Sequence, residues 1–355
     1  MFCIMTLCII IVVVVQIYCQ AHQSQTQKTM SFQGKDGFND ISLFPMEPFS
    51  SPSANLEDLI ANTAPKQNRT ARLYCPEQSP LLVGKMNIKP TATLEEVTNK
   101  NSVSNLTLGG RYSPPNCTAR ERTAIIIPYR DRKEHLEILV RHLHAVLQRQ
   151  ELEYAIYVVE MALPTQFNRG LLANAGVRVA REISDHTCYV IHDVDLLMSD
   201  DRNLYRCGSQ PIHYMTGSSK VQNNGLPYAT YYGGVVGFTK EQYKKCNGFS
   251  NLYFGWGGED DDLGIRVNSA GMKFVRPKDE IGKYVALPHN EDSTNQKNPN
   301  RFTILSHAKE RIQEEGVETL IFRRLALEYR KLYTWILIGV QEDTIMKRYQ
   351  HYIGK

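Results

Sequence analysis

The sequence predicts an α/β fold in which helices flank a mainly parallel sheet. Apolar, β-branched runs alternate with segments whose apolar residues recur at helical spacing. Their order along the chain is strand, helix, strand, helix, strand, which is typical of right-handed units with neighbouring parallel strands. The 355 residues have room for one large domain or two ordinary ones.

The expected elements follow one another without an internal repeat. Each predicted strand is a continuous apolar run, as in a sheet covered on both faces. Each predicted helix has an apolar stripe. The predicted elements are a strand over Ala124–Ile127 that Pro128 ends, a helix over Glu134–Gln148, a strand over Tyr154–Val159, a helix over Phe167–Ile183 and a strand over Cys188–His192.

Composition narrows the class of protein only moderately. Hydrophobic residues make up 42% of the chain and charged residues 22%, as in ordinary globular proteins. The formal net charge is +4, and no basic run with interleaved aromatic residues is present. We therefore expect no nucleic-acid partner.

The N-terminus predicts entry into the secretory pathway. Residues Phe2–Cys19 are almost wholly apolar, and no charged side chain precedes Lys28. The length fits a short spanning helix, so residues 1–20 are predicted to be an uncleaved signal anchor that holds the chain in a membrane. A cleaved signal peptide is the alternative, since Ala21 offers a small residue nearby. Both interpretations place the remaining chain in the lumen.

Residues 21–71 are rich in Gln, Ser, Asn, Thr and Pro and are predicted to form a flexible stem. Glycosylation acceptor motifs begin at Asn68, Asn105 and Asn116, which supports a lumenal location. Five cysteines lie outside the apolar segment and show no zinc-type CxxC spacing, so disulfides are expected and one thiol is left over. These cysteines are Cys75, Cys117, Cys188, Cys207 and Cys246.

Charged residues follow two of the predicted strands. Arg130 and Arg132 come after the first strand, and Asp193 and Asp195 come after the third. Ligands of open α/β sheets bind beyond the carboxyl ends of the strands, so we expect these four residues at one rim. The aspartates suit Mg²⁺ or Mn²⁺. The arginines can contact a diphosphate or pair with neighbouring acids.

The stretch from Phe254 to Asp262 is the most unusual in the chain. Trp256 lies among three glycines, and four consecutive carboxylates follow at residues 259–262. Apolar residues then recur at helical spacing up to Gly271, which predicts a helix that begins with the acids and is entered from a mobile loop. Carboxylates in a first turn complement the helix dipole, but four like charges exceed that need.

Three further features have both a functional and an ordinary interpretation. The start of the second helix, at Phe167–Gly170, can meet an anion through its amides and Arg169. Tyrosines at 228, 231 and 232 can stack on a sugar or pack in the sheet. His289 lies in a polar stretch and is either a surface residue or a metal ligand.

Taken together, these motifs resemble the β-1,4-galactosyltransferase family. They arrive in the family's order and span roughly Cys75 to Tyr333. The matching runs are Ala124–Arg132, His144–Gln150, Phe167–Arg169, Asp193–Asp195, Tyr205–Pro211, Tyr231–Gly234, Gly255–Asp262 and Asn300–Phe302.

The resemblance implies a Rossmann-like GT-A-type fold whose catalytic domain, residues 72–340, is lumenal and anchored in the Golgi membrane as a single-pass type II protein. A C-terminal extension, residues 341–355, would follow. The implied reaction is the inverting, metal-dependent transfer of galactose from UDP-galactose to the 4-hydroxyl of a terminal N-acetylglucosamine on glycoprotein or glycolipid glycans. The partners considered besides the donor and acceptor are a second copy of the chain, in a homodimer, and a modifier subunit.

The resemblance also assigns roles by matching positions. The implied donor-binding residues are Pro128, Arg130, Arg132, Phe167, Arg169, Asp193, Val194, Tyr231 and Gly234. The implied catalytic residues are Asp260 as the base, Glu259, Asp261 and the lid residue Trp256, and the implied acceptor contacts are Tyr228, Trp256, Asp260, Asp261, Arg301, Phe302 and Leu305. The implied disulfides are Cys75–Cys117 and Cys188–Cys207.

Asp195 and His289 would bind Mn²⁺, but one position departs from the family pattern. The best-studied members have a methionine ligand three residues before the histidine, and this chain has Ala286 there. Because alanine cannot ligate, we expect a weakened or altered metal requirement. Tyr231 favours galactose over N-acetylgalactosamine, since a bulky ring opposes an acetamido group. The alternatives are a relative that uses UDP-N-acetylgalactosamine and a glycan-binding protein that keeps the fold without catalysis.

Overall fold

The computed structural model describes residues 72–93, 105–289 and 295–353. The predicted anchor and stem, together with Asn68, lie outside these ranges. The chain divides into two compact units, and the second, Arg69–Lys355, contains every helix and strand named below. No helix in the described part of the chain is both long and apolar enough to cross a membrane.

The helices and strands of the second unit alternate over most of its length. In chain order they are β1 Arg111–Tyr112, β2 Arg122–Tyr129, α1 Lys133–Arg149, β3 Glu153–Met161, α2 Arg169–Ile183, β4 Cys188–His192, β5 Leu196–Met198, β6 Ile212–His213, β7 Gly217–Ser218, β8 Val235–Thr239, α3 Lys240–Lys245, α4 Glu259–Ser269, β9 Lys283–Ala286, α5 Arg301–Ser306, α6 Ala308–Arg311, β10 Arg323–Tyr329, β11 Thr334–Gly339 and α7 Glu342–Arg348.

The main sheet has the strand order β10-β11-β3-β2-β4-β8-β6, and β1 also pairs with β3. The central strands β11, β3, β2 and β4 are parallel to their neighbours in this group. Strands β10, β8, β6 and β1 join antiparallel. The predicted parallel sheet with flanking helices is therefore confirmed, with antiparallel strands added at its margins.

Two apolar layers cover the faces of this sheet. Ile126 packs in one cluster with Leu172 of α2. Ile125 and Ile127 point to the other face and join a cluster with Leu139 of α1. Strand β2 is thus buried on both faces, which explains its unbroken apolar sequence.

The prediction that Pro128 ends the first strand is wrong. Strand β2 runs through Pro128 to Tyr129, which pairs with Glu160 of β3. Its pairing with β4 stops earlier, at Ile126. A proline has no N–H to donate, and it is tolerated here because β2 has only one paired neighbour at this level. The second helix also begins two residues later than predicted, at Arg169, with Asn168 as its N-cap.

A small second sheet has the strand order β5-β9-β7. It begins just after Asp195, which follows β4 of the main sheet. Leu196 pairs with Ala286, so Asp195 before β5 lies close to the end of β9. Strand β7 runs parallel to β9 on its other side. Three chain segments far apart in sequence therefore meet at this point.

The disulfides are Cys75–Cys117 and Cys188–Cys207, as the family resemblance implied. Cys246 is a buried free thiol. The C-terminal extension is folded as far as residue 353: α7 and a 3₁₀ turn over Gln350–Tyr352 pack against Ile304 of α5. The side chain of Tyr349 donates a hydrogen bond of 3.0 Å to the carbonyl of Glu314.

Candidate active site

A cleft of about 340 Å³ opens at the carboxyl ends of the central strands. It contains most of the residues predicted to bind a donor or to act in catalysis, as the rim argument required. The predicted residues that line it are Pro128, Arg130, Arg132, Phe167, Arg169, Asp193, Val194, Asp195, Tyr231, Trp256, Glu259, Asp260 and His289. Gly234, Tyr228, Asp261, Arg301, Phe302 and Leu305 lie outside its lining.

Two basic residues at the end of β2 face the cleft. The guanidinium of Arg130 donates to the carbonyl of Thr165 at 2.7 Å and lies 5.7 Å from the ring centre of Phe167. Arg132 is the N-cap residue of α1 and makes no side-chain capping bond. A cationic face beside an aromatic ring suits the diphosphate and base of a nucleotide.

Arg169 bridges two carboxylates at the centre of the cleft. Its Nε donates to Asp193 at 2.5 Å, and its Nη1 donates to Asp260 at 2.8 Å. Its Nη2 also donates to the carbonyl of Gly234 at 3.3 Å. This residue therefore joins the end of β4 to the start of α4 and fixes the orientation of the predicted base.

Helix α4 begins at Glu259, as predicted, and all four acids lie in its first turn. Gly258 precedes it with φ of +97°, a left-handed conformation that favours glycine. Oε2 of Glu259 is buried and has no hydrogen-bond partner among the described residues. An unsatisfied buried carboxylate oxygen beside a cleft is suited to accept a bond from a ligand hydroxyl.

Burial raises the pKa of Asp260, with Asp261 adding to the increase and the Arg169 guanidinium opposing it. The pKa of Glu259 is also raised, first by burial and then by Asp260. Burial is the larger cause, because the cleft removes these groups from water.

The fourth acid, Asp262, points into the protein and is fully buried. It accepts from Arg266 at 2.5 Å and from the hydroxyl of Tyr253 at 2.9 Å, and it pairs with Arg311. Glu315 pairs with both arginines and completes a buried ion cluster. The carboxylate of Asp262 therefore holds α4 in place and does not face the cleft.

Trp256 is on the loop before α4, and its side chain is 55% exposed. The backbone of this loop is held on one side by a bond from Gly255 to the carbonyl of Phe167. On the other side Trp256 donates to the carbonyl of Gln296 and accepts from Asn298. The indole thus lies at the mouth of the cleft. Hydrogen bonds on both sides hold the backbone of the loop that carries it.

Two tyrosines lie next to acids of α4. The hydroxyl of Tyr228 donates to Asp261 at 2.9 Å. Tyr231 lines the cleft, and its ring centre lies 5.6 Å from that of Tyr228. A Cβ at Gly233 would collide with both the Tyr231 hydroxyl and a carboxylate oxygen of Asp260. The hydroxyl of Tyr231 and the predicted base are therefore close neighbours.

Asp195 and His289 meet at the edge of the cleft, where Oδ2 of Asp195 lies 3.2 Å from Nε2 of His289. A carboxylate oxygen and an imidazole nitrogen are both ligands that Mn²⁺ accepts, so this pair fits a divalent cation. Ala286 is buried and offers no ligand atom. The residues present supply two protein ligands.

Two residues that the sequence argument did not single out also lie here. The ammonium of Lys220 contacts both Asp195 and His289. The ring of His135 lies 6.2 Å from that of His289, and its buried Nδ1 has no partner within the described ranges. Neither residue belongs to a recognisable local motif, so only the folded arrangement identifies them.

Three of the predicted acceptor residues, Arg301, Phe302 and Leu305, lie on α5, close to the tryptophan loop. Phe302 is 68% exposed, and the guanidinium of Arg301 lies 4.3 Å from its ring centre. A Cβ at Gly257 would touch the Arg301 side chain at 3.0 Å. Leu305 is half-buried on the same helix. These side chains form an exposed shelf next to Trp256 rather than part of the cleft.

The matching family models and the similar proteins of known function all indicate one family, as the following matches show. Residues 75–208 match the N-terminal region of glycosyl transferase group 7, and residues 213–290 match a model described as the N-terminal domain of galactosyltransferase. The chain is 42% identical to β-1,4-galactosyltransferase 3 of Mus musculus over 328 residues, which is 88% of this chain and 82% of that protein. It is 41% identical to human β-1,4-galactosyltransferase 1 over 291 residues, 81% of this chain and 72% of that protein.

Among solved structures, a Drosophila β-1,4-galactosyltransferase 7 variant in complex with manganese, UDP-Gal and xylobiose is similar, with a TM-score of 0.56 and 26% identity. The match covers 66% of this chain and all of that chain. The relatives, the matched models and the fold agree on a hexosyltransferase. The chain belongs to the β-1,4-galactosyltransferase family.

Proposed function

We propose that this protein transfers galactose from UDP-galactose, with inversion and with Mn²⁺, to the 4-hydroxyl of a terminal N-acetylglucosamine. The observation that carries the proposal is that one cleft joins the Asp195–His289 pair, the basic residues after β2 and the raised-pKa carboxylate Asp260. The solved Drosophila relative binds manganese and UDP-galactose, which supports this donor and cation.

In the proposed reaction Asp260 accepts the proton of the attacking hydroxyl. A base must lie within hydrogen-bond reach of that hydroxyl and on the face opposite the leaving group. Arg169 orients the carboxylate of Asp260 through its bond of 2.8 Å. Glu259, with an unsatisfied oxygen, and Asp261, held by Tyr228, would bind the sugar hydroxyls.

The leaving diphosphate is bound by Arg130 and Arg132 in this proposal, with the nucleoside against Phe167. A cation held by Asp195 and His289 would supply Lewis-acid stabilisation of the charge that develops on the leaving group. Trp256 would close over the donor and exclude water, which is the competing nucleophile.

Tyr231 sets the proposed preference for galactose. Its hydroxyl lies next to Asp260, at the part of the cleft where the transferred sugar would meet the base. A ring at this position opposes an acetamido group at C2. N-acetylgalactosamine transfer by the wild-type protein would contradict this assignment.

For the acceptor we propose the α5 shelf, with Arg301, Phe302 and Leu305 beside the N-acetyl group. The Drosophila structure contains xylobiose, so a xylose-terminated sugar is the alternative acceptor to test. We further propose a lumenal enzyme that residues 1–20 anchor in the Golgi membrane, with residues 21–71 as its stem.

A donor-by-metal panel tests the proposal on the full-length protein. UDP-galactose and UDP-N-acetylgalactosamine are each offered with Mn²⁺, Mg²⁺ or chelator, and with N-acetylglucosamine- or xylose-terminated acceptors. We expect metal-dependent transfer of galactose to N-acetylglucosamine, and its loss in Asp260→Asn. Retained UDP binding without transfer to either acceptor would favour a glycan-binding protein instead.

A further inference from the structure

The ammonium of Lys220 contacts both of the atoms that are proposed to bind the metal. It is 2.5 Å from Oδ2 of Asp195 and 3.2 Å from Nε2 of His289. Those two atoms are themselves 3.2 Å apart. A single positive group therefore already contacts both proposed protein ligands of the divalent cation.

Hydrogen bonds of the preceding residue hold the backbone of Lys220 beside β9. The residue follows β7, which pairs with β9. The amide of Ser219 donates to the carbonyl of Tyr284 at 3.0 Å, and its hydroxyl accepts from the amide of Ala286 at 2.9 Å. The segment that carries Lys220 is thus bonded to the strand that leads to His289.

The chemistry of these contacts sets lysine and metal in competition for the same ligand atoms. Lysine has only donors, so in the tautomer that bonds to the ammonium Nε2 of His289 accepts with the lone pair that a metal would use. The same holds for the Oδ2 lone pair directed at Lys220. The side chain of Asp195 is only 14% exposed, so its charge needs a nearby cation in either state.

We propose that Lys220 is an internal cation that competes with the divalent metal for Asp195 and His289. When the metal enters, the ammonium must leave both side chains. When the metal dissociates, the ammonium returns to them. With Ala286 in place of a third ligand, the metal has two protein ligands to set against this competitor. The inference rests on the metal site of the proposed function and adds a residue that weakens metal binding there.

The test measures Mn²⁺ binding directly, without nucleotide and without turnover. Full-length wild-type protein and Lys220→Met are titrated with Mn²⁺, and free Mn²⁺ is read from its electron paramagnetic resonance signal. Removal of a partly exposed ion pair and of a like charge next to the metal is expected to tighten Mn²⁺ binding about three- to tenfold. Lys220→Gln serves as a second neutral variant, and thermal unfolding confirms that each variant is folded.

Lys283→Met is the matched control. Lys283 lies on β9 and, like Lys220, forms an ion pair, with Asp279 at 2.7 Å, but it contacts neither proposed ligand. It is expected to leave Mn²⁺ affinity unchanged. Equal or weaker Mn²⁺ binding by both Lys220 variants would overturn the proposal, as would an equal gain in Lys283→Met. Absence of Mn²⁺ binding in every variant would instead overturn the metal site itself.

Discussion

The first turn of α4 allows a sharp test of which carboxylates are structural and which are functional. Asp262 and Asp261 are adjacent in sequence, and Asp→Asn is the same conservative change at both. The Asp262 carboxylate accepts from Arg266 at 2.5 Å and from Tyr253 at 2.9 Å, and it pairs with Arg311. These ionic side chains are fully buried.

In Asp262→Asn, the buried cluster keeps both arginines but loses one of its two carboxylates. An amide group must also face at least one guanidinium donor, which leaves a buried donor unsatisfied. Removal of one partner from a buried ion pair costs about 3–5 kcal/mol. We expect that loss in the free energy of unfolding, seen as a fall in Tm on the order of 10 °C.

Asp261→Asn should behave in the opposite way. Its carboxylate is only partly buried and accepts a single bond from Tyr228 at 2.9 Å. The expected cost in stability is less than about 1 kcal/mol, while galactose transfer falls because a proposed sugar contact is lost. Urea unfolding and transfer rates measured on both variants give the comparison. Similar destabilisation by the two changes would refute the assignment of Asp262 to structure.

Four further predictions concern the cleft and the C-terminal extension. Tyr231→Leu is expected to gain transfer from UDP-N-acetylgalactosamine, measured against UDP-galactose in competition. The raised pKa of Asp260 in the free protein places the acid limb of the kcat/KM profile above the ordinary carboxyl value of 3.8, so kcat/KM falls as pH decreases through that raised pKa. Ala286→Met adds a ligand and is expected to tighten Mn²⁺ binding in a direct titration. Truncation after Gln341 exposes Ile304 beneath the acceptor shelf and is expected to raise the acceptor KM more than the donor KM.

The order of elements and the rim of charged residues could be predicted because they depend on local patterns. Apolar runs such as Ala124–Ile127 must be buried on both faces, and a helix must begin where Glu259 follows a glycine loop. These preferences act between residues close in sequence, so they can be read along the chain. The end of β2 could not be predicted in this way. Pro128 is tolerated in the strand only because pairing with β4 has already stopped at Ile126.

The sequence by itself determined the α/β class, the cleft at the strand ends and the chemical types of residue in it. Only the tertiary structure decided their partners. Asp262 is structural because Arg311, 49 residues away, meets it inside the protein. Lys220 reaches His289 across 69 residues through the pairing of β7 with β9. Such contacts depend on how strands and helices pack. The sequence of one segment therefore does not show which charged residue of a distant segment will contact it.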